Sequence, residues 1–296
     1  MKRKSVLTLV GLMLLTALAV GQMQDQYLDV FYCQVKPEKR AEFDAITKKM
    51  VAANHKSGDE WMTLEKVYGG GNRVTFISMR GSYADIDKGS GAFYGSIEKA
   101  YGKAATEKLF QDFNQTVAST RGEIRKRRWD LSSNMPDNSA AVMKMLGEAR
   151  FLRTVVVHVK PGQIDTFEGL LKDVKVAREK VGQTSLVSQA VAGQEGTVFY
   201  VTLLENAMAG FDSVPSAQKL LGDEGYAKYL KVNAETVEST ETLISRFVPE
   251  LSNAPADVVA AAPDYWTPKS MVATKTDAAK KPMVNAAQIA KERTNK

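Results

Sequence analysis

Cysteine and histidine are nearly missing from this chain of 296 residues, which has one cysteine, Cys33, and two histidines, His55 and His158. A lone cysteine forms no internal disulfide, so the folded units must hold together by burying apolar surface. A unit of about 110 residues can do that. The histidines show neither a His-x-His nor a His-x-x-x-His spacing, and Cys33 reads as a small buried hydrophobe, so no metal site is expected. Long apolar runs are missing too, with one exception at the start. Excess charge is missing from the body of the chain.

The exception is Val6 to Val20, which follows Lys2, Arg3 and Lys4 and closes on Ala19-x-Gly21. A basic start, an apolar middle and a small-residue end form the pattern of a secretory signal peptide over 1–21. The run is short for a hydrocarbon core, which takes roughly 20 residues. The expectation is cleavage, no integral membrane segment afterwards, and an exported chain, periplasmic or secreted. The formal net charge of +6 sits largely at the two ends. Three cations belong to the leader. From Ala262 to Lys296, seven cations stand against Asp264, Asp277 and Glu292. The remainder is close to neutral, which gives no electrostatic case for nucleic acid. The stretch 256–296, rich in Ala, Lys, Thr and Pro, reads as a flexible basic tail.

What is present is said twice. Tyr27-Leu28 through Val35-Lys36-Pro37 to Phe43 returns as Phe151-Leu152 through Val159-Lys160-Pro161 to Phe167, an offset of 124 residues. Thr116-Val117-x-Ser119-Thr120 returns as Thr236-Val237-x-Ser239-Thr240, and Asp130-Leu131-Ser132 as Glu250-Leu251-Ser252, an offset of 120. A period of this size means related domains rather than a solenoid. The expected division is repeat 1 over 22–135, a linker over 136–150, and repeat 2 over 151–255.

Within each copy, an alternating strand (Leu28 to Val35; Phe151 to Val159) runs into a proline that suits a helix start. Phe43, Ile46, Met50 and Ala53 then follow at helical spacing, as do Phe167, Leu170, Leu171, Val174 and Ala177. Gly58 and Gly182 fall where a helix-ending glycine belongs. Two further strands, Trp61 to Tyr68 and Arg73 to Arg80, flank Gly69-Gly70-Gly71-Asn72. A strand follows that glycine run, so it reads as a hairpin turn and not as a phosphate cradle. Ser185 to Val191 and Thr197 to Leu204 repeat the hairpin. A helix carrying Leu109, Phe113 and Val117, or Tyr226, Leu230 and Val237, leads to a last strand, Ile124 to Leu131 or Leu243 to Leu251. This βαββαβ order is ferredoxin-like and leaves one face of each sheet uncovered. The expected class is α+β, two such domains with sheets packed face to face as a single-chain α/β barrel, helices outside. Because the repeats pair within the chain, a monomer is expected.

Element order, the two Val-Lys-Pro junctions and the hairpins make Tyr27 to Asn253 resemble the dimeric α/β-barrel superfamily, which includes antibiotic-biosynthesis-monooxygenase-like and NIPSNAP-like proteins. The resemblance is to a tandem fusion of two such units. It implies architecture only, since members include cofactor-free oxygenases, haem enzymes, isomerases and plain ligand binders.

Alternation places Phe31, Cys33 and Val35, with Val155, Val157 and Val159, under the helices. The opposite set should approach the axis between the sheets. Its polar members Tyr32, Gln34, His158, Tyr200 and Thr202 are the candidate ligand-binding residues, with Phe76 and Ser78 expected on the same side. Mutual hydrogen bonding is the competing explanation for them. Arg121, Arg125, Lys126, Arg127 and Arg128 read as a solvated strand edge, with an anionic ligand or a membrane surface as the functional alternative. His55 falls near the end of the first helix. Trp61, Tyr68, Tyr94 and Tyr101 read as core, with a helix–sheet cleft as the functional alternative.

Two functions remain open at this level, with no cofactor expected for either. One is a binding or structural module of the cell envelope for a small apolar or aromatic ligand or a protein partner. The other is a cofactor-independent monooxygenase-like or isomerase-like enzyme acting on such a molecule. The first is favoured, because no acid–base pair stands out.

Overall fold

A computed structural model describes residues 26–55, 57–69 and 71–267. The expected signal peptide and the tail beyond 267 lie outside them. Among the described residues there are eight strands: β1 (Tyr27–Val35), β2 (Met62–Tyr68), β3 (Arg73–Arg80), β4 (Val117–Arg127), β5 (Phe151–Val159), β6 (Leu186–Ala192), β7 (Val198–Glu205) and β8 (Val237–Phe247). They close into one antiparallel barrel in the order β1-β3-β2-β8-β5-β7-β6-β4. Outside lie α1 (Arg40–Asn54), α2 (Tyr83–Tyr101), α3 (Lys103–Thr116), α5 (Ile164–Lys180) and α6 (Ala217–Thr236), the last kinked at Gly222. Between the halves comes α4 (Ser139–Glu148), and after β8 come α7 (Ala256–Ala261) and α8 (Pro263–Trp266).

The two expected sheets are not separate layers. β2 pairs with β8, Leu64 opposite Phe247, and β4 pairs with β6, Arg127 opposite Ser188. Closure leaves no strand edge, which satisfies backbone groups that a pair of open sheets would leave free. The last strand of each half also starts earlier than expected. Val117 and Val237 open β4 and β8 and do not extend the preceding helix. Thr-Val-x-Ser-Thr is β-branched at most positions and favours a pleated backbone.

The repeated Val-Lys-Pro acquires a physical reason here. Lys36 N–H donates to Thr116 O at 2.9 Å and its ammonium to Gln115 O at 2.9 Å. Lys160 N–H donates to Thr236 O at 2.8 Å, and its ammonium reaches Ala234 O at 2.9 Å. Each lysine therefore places a cation on the last carbonyls of α3 or α6, where the helix dipole favours it.

The segments after β4 and β8 cross over to the opposite half. Leu131 packs with Val157, Phe167 and Val187, while Leu251 packs with Phe43, Met50 and Val74. Ser132 Oγ accepts from Val187 N at 2.9 Å, and Ser252 Oγ accepts from Thr63 N at 2.9 Å.

The stretch expected as a linker, 136–150, holds α4, and the stretch expected as tail begins with α7 and α8. Both expectations are corrected, because these helices cap one mouth of the barrel. Val142, Leu146, Val258 and Trp266 are buried together with Met62, Leu64, Leu186 and Phe247 from the wall. Gly147 permits the crossing, since a Cβ there would stand 2.4 Å from Val258 O. Trp266 Nε1 donates to Gly147 O at 2.8 Å and Tyr265 OH to Phe247 O at 2.8 Å. No helix among the described residues is long and apolar enough to cross a membrane.

Trp266 is only 4% exposed, so Trp266→Ala is expected to cost about 3–5 kcal/mol in chemical denaturation, the range for truncating a buried aromatic. An unchanged denaturation midpoint would show that α8 does not hold the mouth closed.

Candidate functional site

All five candidates, Tyr32, Gln34, His158, Tyr200 and Thr202, line one cavity of about 410 Å³ inside the barrel. Phe76 and Ser78 do not join them. In the β1–β3 pair Tyr32 faces Thr75, and in the β5–β7 pair the equivalent Val156 faces Tyr200. Tyr200 thus matches Thr75, because the turn between β6 and β7 is one residue longer than that between β2 and β3. A shift of one residue sends every later side chain to the other face. Phe76 and Ser78 consequently point out, under the helices.

The arginine run is not a strand edge either. β4 pairs on both sides, and Arg121, Arg125 and Arg127 turn inward. Sequence reading singled these residues out but placed them at a solvated edge; the alternate spacing of the three arginines was the available signal for an inward face. Between them the Glu123 carboxylate is fully buried, accepting from Arg121 Nη2 at 2.9 Å and Arg125 Nε at 2.7 Å. Arg125 also donates to the Tyr32 hydroxyl, and its guanidinium lies 3.2 Å from the centre of the Tyr200 ring. Arg73, Arg121 and Arg125 all stand within 5.8 Å of the Tyr32 ring centre. Burial pushes the Tyr200 phenol above its ordinary range, with Arg125 opposing. Arg128 instead faces out and pairs with Asp130 and Glu168. Thr202 pairs with Thr154, their hydroxyls 3.0 Å apart. Mutual satisfaction therefore explains Tyr32 and Thr202. It does not explain His158, which makes no side-chain hydrogen bond among the described residues.

A second cavity, of about 440 Å³, lies between the outer face of β1 and β3 and helices α1–α3. Phe31, Trp61, Phe76, Phe93, Tyr94 and Phe110 furnish its aromatic walls. Trp61 packs edge-on to Phe93 at 5.6 Å between centres, and Tyr94 tilts against Phe110 at 5.2 Å. Of the four aromatics expected as core, Trp61 is buried and Tyr94 sits at this cleft, while Tyr68 and Tyr101 are exposed outside it. One wall is polar. Arg80 makes two hydrogen bonds of 2.6 Å to Asp59 and stands 3.6 Å from Asp29. Gly89 makes room for that guanidinium, since a Cβ there would lie 2.5 Å from it. Burial lifts the Asp29 carboxyl above the usual range, with Arg80 opposing. The buried Thr47 hydroxyl lines the same cleft and has no hydrogen-bond partner in the protein.

The second half has a cleft of about 510 Å³ under α5 and α6, lined mainly by aliphatic residues with Arg178 and Tyr229. Neither helix–sheet cleft contains a histidine. His55 stands exposed at the C-cap of α1, as expected, and His158 lies inside the barrel. Cys33 is packed in the core, and burial pushes its thiol up to about 12. An imidazole or thiolate haem ligand is thus not at hand in either cleft. Among the described residues no group of three or more His, Cys, Asp or Glu could hold a metal ion.

No protein-family model matches the chain, and no curated protein matches it. Solved structures with a similar fold include an anthrone oxidase-like protein, at 13% identity and TM-score 0.49, covering 77% of this chain and 93% of that one. A protein provisionally described as a monooxygenase, from Fusobacterium nucleatum, has 10% identity and TM-score 0.47, covering 76% and 93%. A chlorite dismutase from Candidatus Nitrospira defluvii in complex with imidazole has 11% identity and TM-score 0.43, covering 76% and 92%. Likeness at this level transfers none of their activities.

Glu123 holds two guanidiniums in the barrel interior. Glu123→Gln leaves both without their carboxylate and is expected to cost about 3–5 kcal/mol in urea denaturation. A cost below about 1 kcal/mol, the value of an exposed pair, would show that the network is solvated.

Proposed function

We propose that the first half binds a small apolar or aromatic ligand in the cleft between β1, β3 and helices α1–α3, and that the protein is a binding module built around this cleft. One observation carries the reading. Aromatic rings enclose about 440 Å³, yet Phe31 and Tyr94 stay 39% and 55% exposed at its side. A large concave apolar surface with a few convergent polar groups is what small-molecule sites have in common. The unpartnered Thr47 hydroxyl and the Asp29 carboxyl offer polar contacts within it. The Arg80–Asp59 pair holds its polar wall in place.

A second reading rests on Asp29. A partly buried carboxyl with a raised proton affinity, next to an apolar cleft, suits proton abstraction from an aromatic or enolisable substrate. This is the cofactor-independent oxygenase-like or isomerase-like alternative, with Asp29 as proton acceptor and Arg80 facing the charge that develops.

The sequence pattern over 1–21 supports export, and the module is proposed to act in the periplasm or outside the cell. The repeated element order on either side of α4 supports a tandem fusion of two ferredoxin-like units, as does the offset of 124 residues at β1 and β5.

Calorimetry with 2-naphthol tests the cleft. Ser90→Trp fills it from α2 and is expected to weaken binding by at least about tenfold, or 1.4 kcal/mol, at an unchanged melting temperature. Undiminished binding to Ser90→Trp would rule the cleft out. The Asp29 carboxyl gives a separate check by pH. Its folded value is raised, so it adds stability below the ordinary carboxylate range and loses it as the pH rises through the folded value. Asp29→Asn is therefore expected to melt higher than the wild type at neutral pH, the gain shrinking as the pH falls. A variant less stable at neutral pH would mean that Asp29 is held as a carboxylate by Arg80.

A further inference from the structure

We propose that the barrel interior is a second binding site, which takes a small organic anion with a carboxylate head and an apolar body. It is separate from the aromatic cleft, because β1 and β3 present opposite faces to the two cavities. Five cations line the interior: Lys66, Arg73, Arg121, Arg125 and Arg127. Two carboxylates answer them. Glu123 is taken up by Arg121 and Arg125, while Glu241 is 54% exposed and stands 3.6 Å from Lys66.

Among the described residues Arg127 is left without a carboxylate, and Lys66 has only the half-exposed Glu241 at a distance too long for a hydrogen bond. The Lys66 ammonium and Arg127 Nε are buried with no hydrogen-bond partner in the protein. The Lys66 side chain is 5% exposed and Arg127 8%. Arg127 forms no ion pair with any described carboxylate and lies 5.6 Å from the Trp129 ring centre. Burial, and then the neighbouring Arg125, bring the Arg127 guanidinium down to about 10. Burial, and then Arg73, lower Lys66 as well, with Glu241 opposing. An uncompensated buried cation is among the most unfavourable arrangements in a protein interior. An incoming carboxylate removes that penalty and matches the planar donor fork of arginine.

The rest of the lining selects the body of the ligand. Leu28, Met62, Leu152, Leu186 and Phe247 line the same cavity from five strands, and Leu146 of α4 joins them from the capped mouth. Its volume of about 410 Å³ accommodates a small organic molecule. A bare inorganic anion would leave this apolar surface against water.

Titration calorimetry of the full chain at low ionic strength tests the site with octanoate, 1-octanol and inorganic phosphate. Octanoate is expected to bind at least about tenfold more tightly than the other two. Arg127→Met should weaken octanoate by at least about tenfold, while raising the ligand-free melting temperature by about 2–4 °C. A purely structural arginine would lower that temperature. Lys66→Met carries the same test where Arg127→Met does not fold. Octanol binding as tightly as octanoate would overturn the anion reading, and phosphate doing so would overturn the apolar body. Octanoate binding unchanged in the cation variant would overturn the site. The Ser90→Trp variant should bind octanoate normally. Loss there would place the anion in the outer cleft and end the interior proposal without touching the cleft's own claim.

Discussion

The reciprocal crossing of the two segments that follow β4 and β8 is the constraint on which the rest of this molecule depends. Leu131, from the end of the first half, completes the core under α5, and Leu251, from the end of the second, completes the core under α1. Ser132 and Ser252 fasten the crossings by accepting from backbone N–H groups of β6 and β2. Strand pairing β2–β8 and β4–β6 then follows directly, since each crossing carries its strand to the neighbouring edge. Neither core is complete without a residue from the other half. Cooperative folding of the whole barrel is the physical outcome, because an isolated half would expose both a sheet face and an unfilled core position.

Closing the barrel separates two kinds of surface that alternate along every strand. Outside, under the helices, the first half collects aromatic rings around Arg80 and Asp59. Inside, β4 contributes Arg121, Glu123, Arg125 and Arg127 in succession. The interior is costly to build, since charges lose hydration there. Glu123, Tyr32 and Tyr200 offset part of that cost for Arg125 by accepting hydrogen bonds or presenting ring faces. The capping helices α4, α7 and α8 seal the apolar mouth with Leu146, Val258 and Trp266.

Much of this was legible in the sequence where periodicity alone decides. Arg73 to Arg80 and Phe151 to Val159 are strands with the expected limits, and Tyr32, Gln34 and His158 turn inward as alternation requires. The failures have local causes. Phe76 was placed on the wrong face because the hairpin turns differ by one residue, which inverts parity. The arginines of β4 resembled a wet edge because charge is usually solvated, and only closure of the barrel shows that β4 has no edge. α7 and α8 lie in a stretch of small and charged residues whose anchors, Val258 and Trp266, are too few to give a periodic signal. The aromatic cleft was visible only as scattered rings, since Phe31 and Phe110 come to line one cavity through tertiary packing.

The single covalent chain has a consequence for what its interior can contain. In a barrel made from two copies of one polypeptide, β4 would meet itself across the axis. Every inward arginine would then occur twice, with its own image on the facing wall. Here the strand opposite in the repeat, β8, brings Glu241, Leu243, Ser245 and Phe247 to the corresponding positions. One wall is therefore free to be cationic while the other stays acidic at the open end and apolar further in. Joining the halves removes a symmetry, and the cavity gains two unlike sides: a molecule inside it meets cations on one wall and different chemistry on the wall opposite, which a symmetric barrel could not offer.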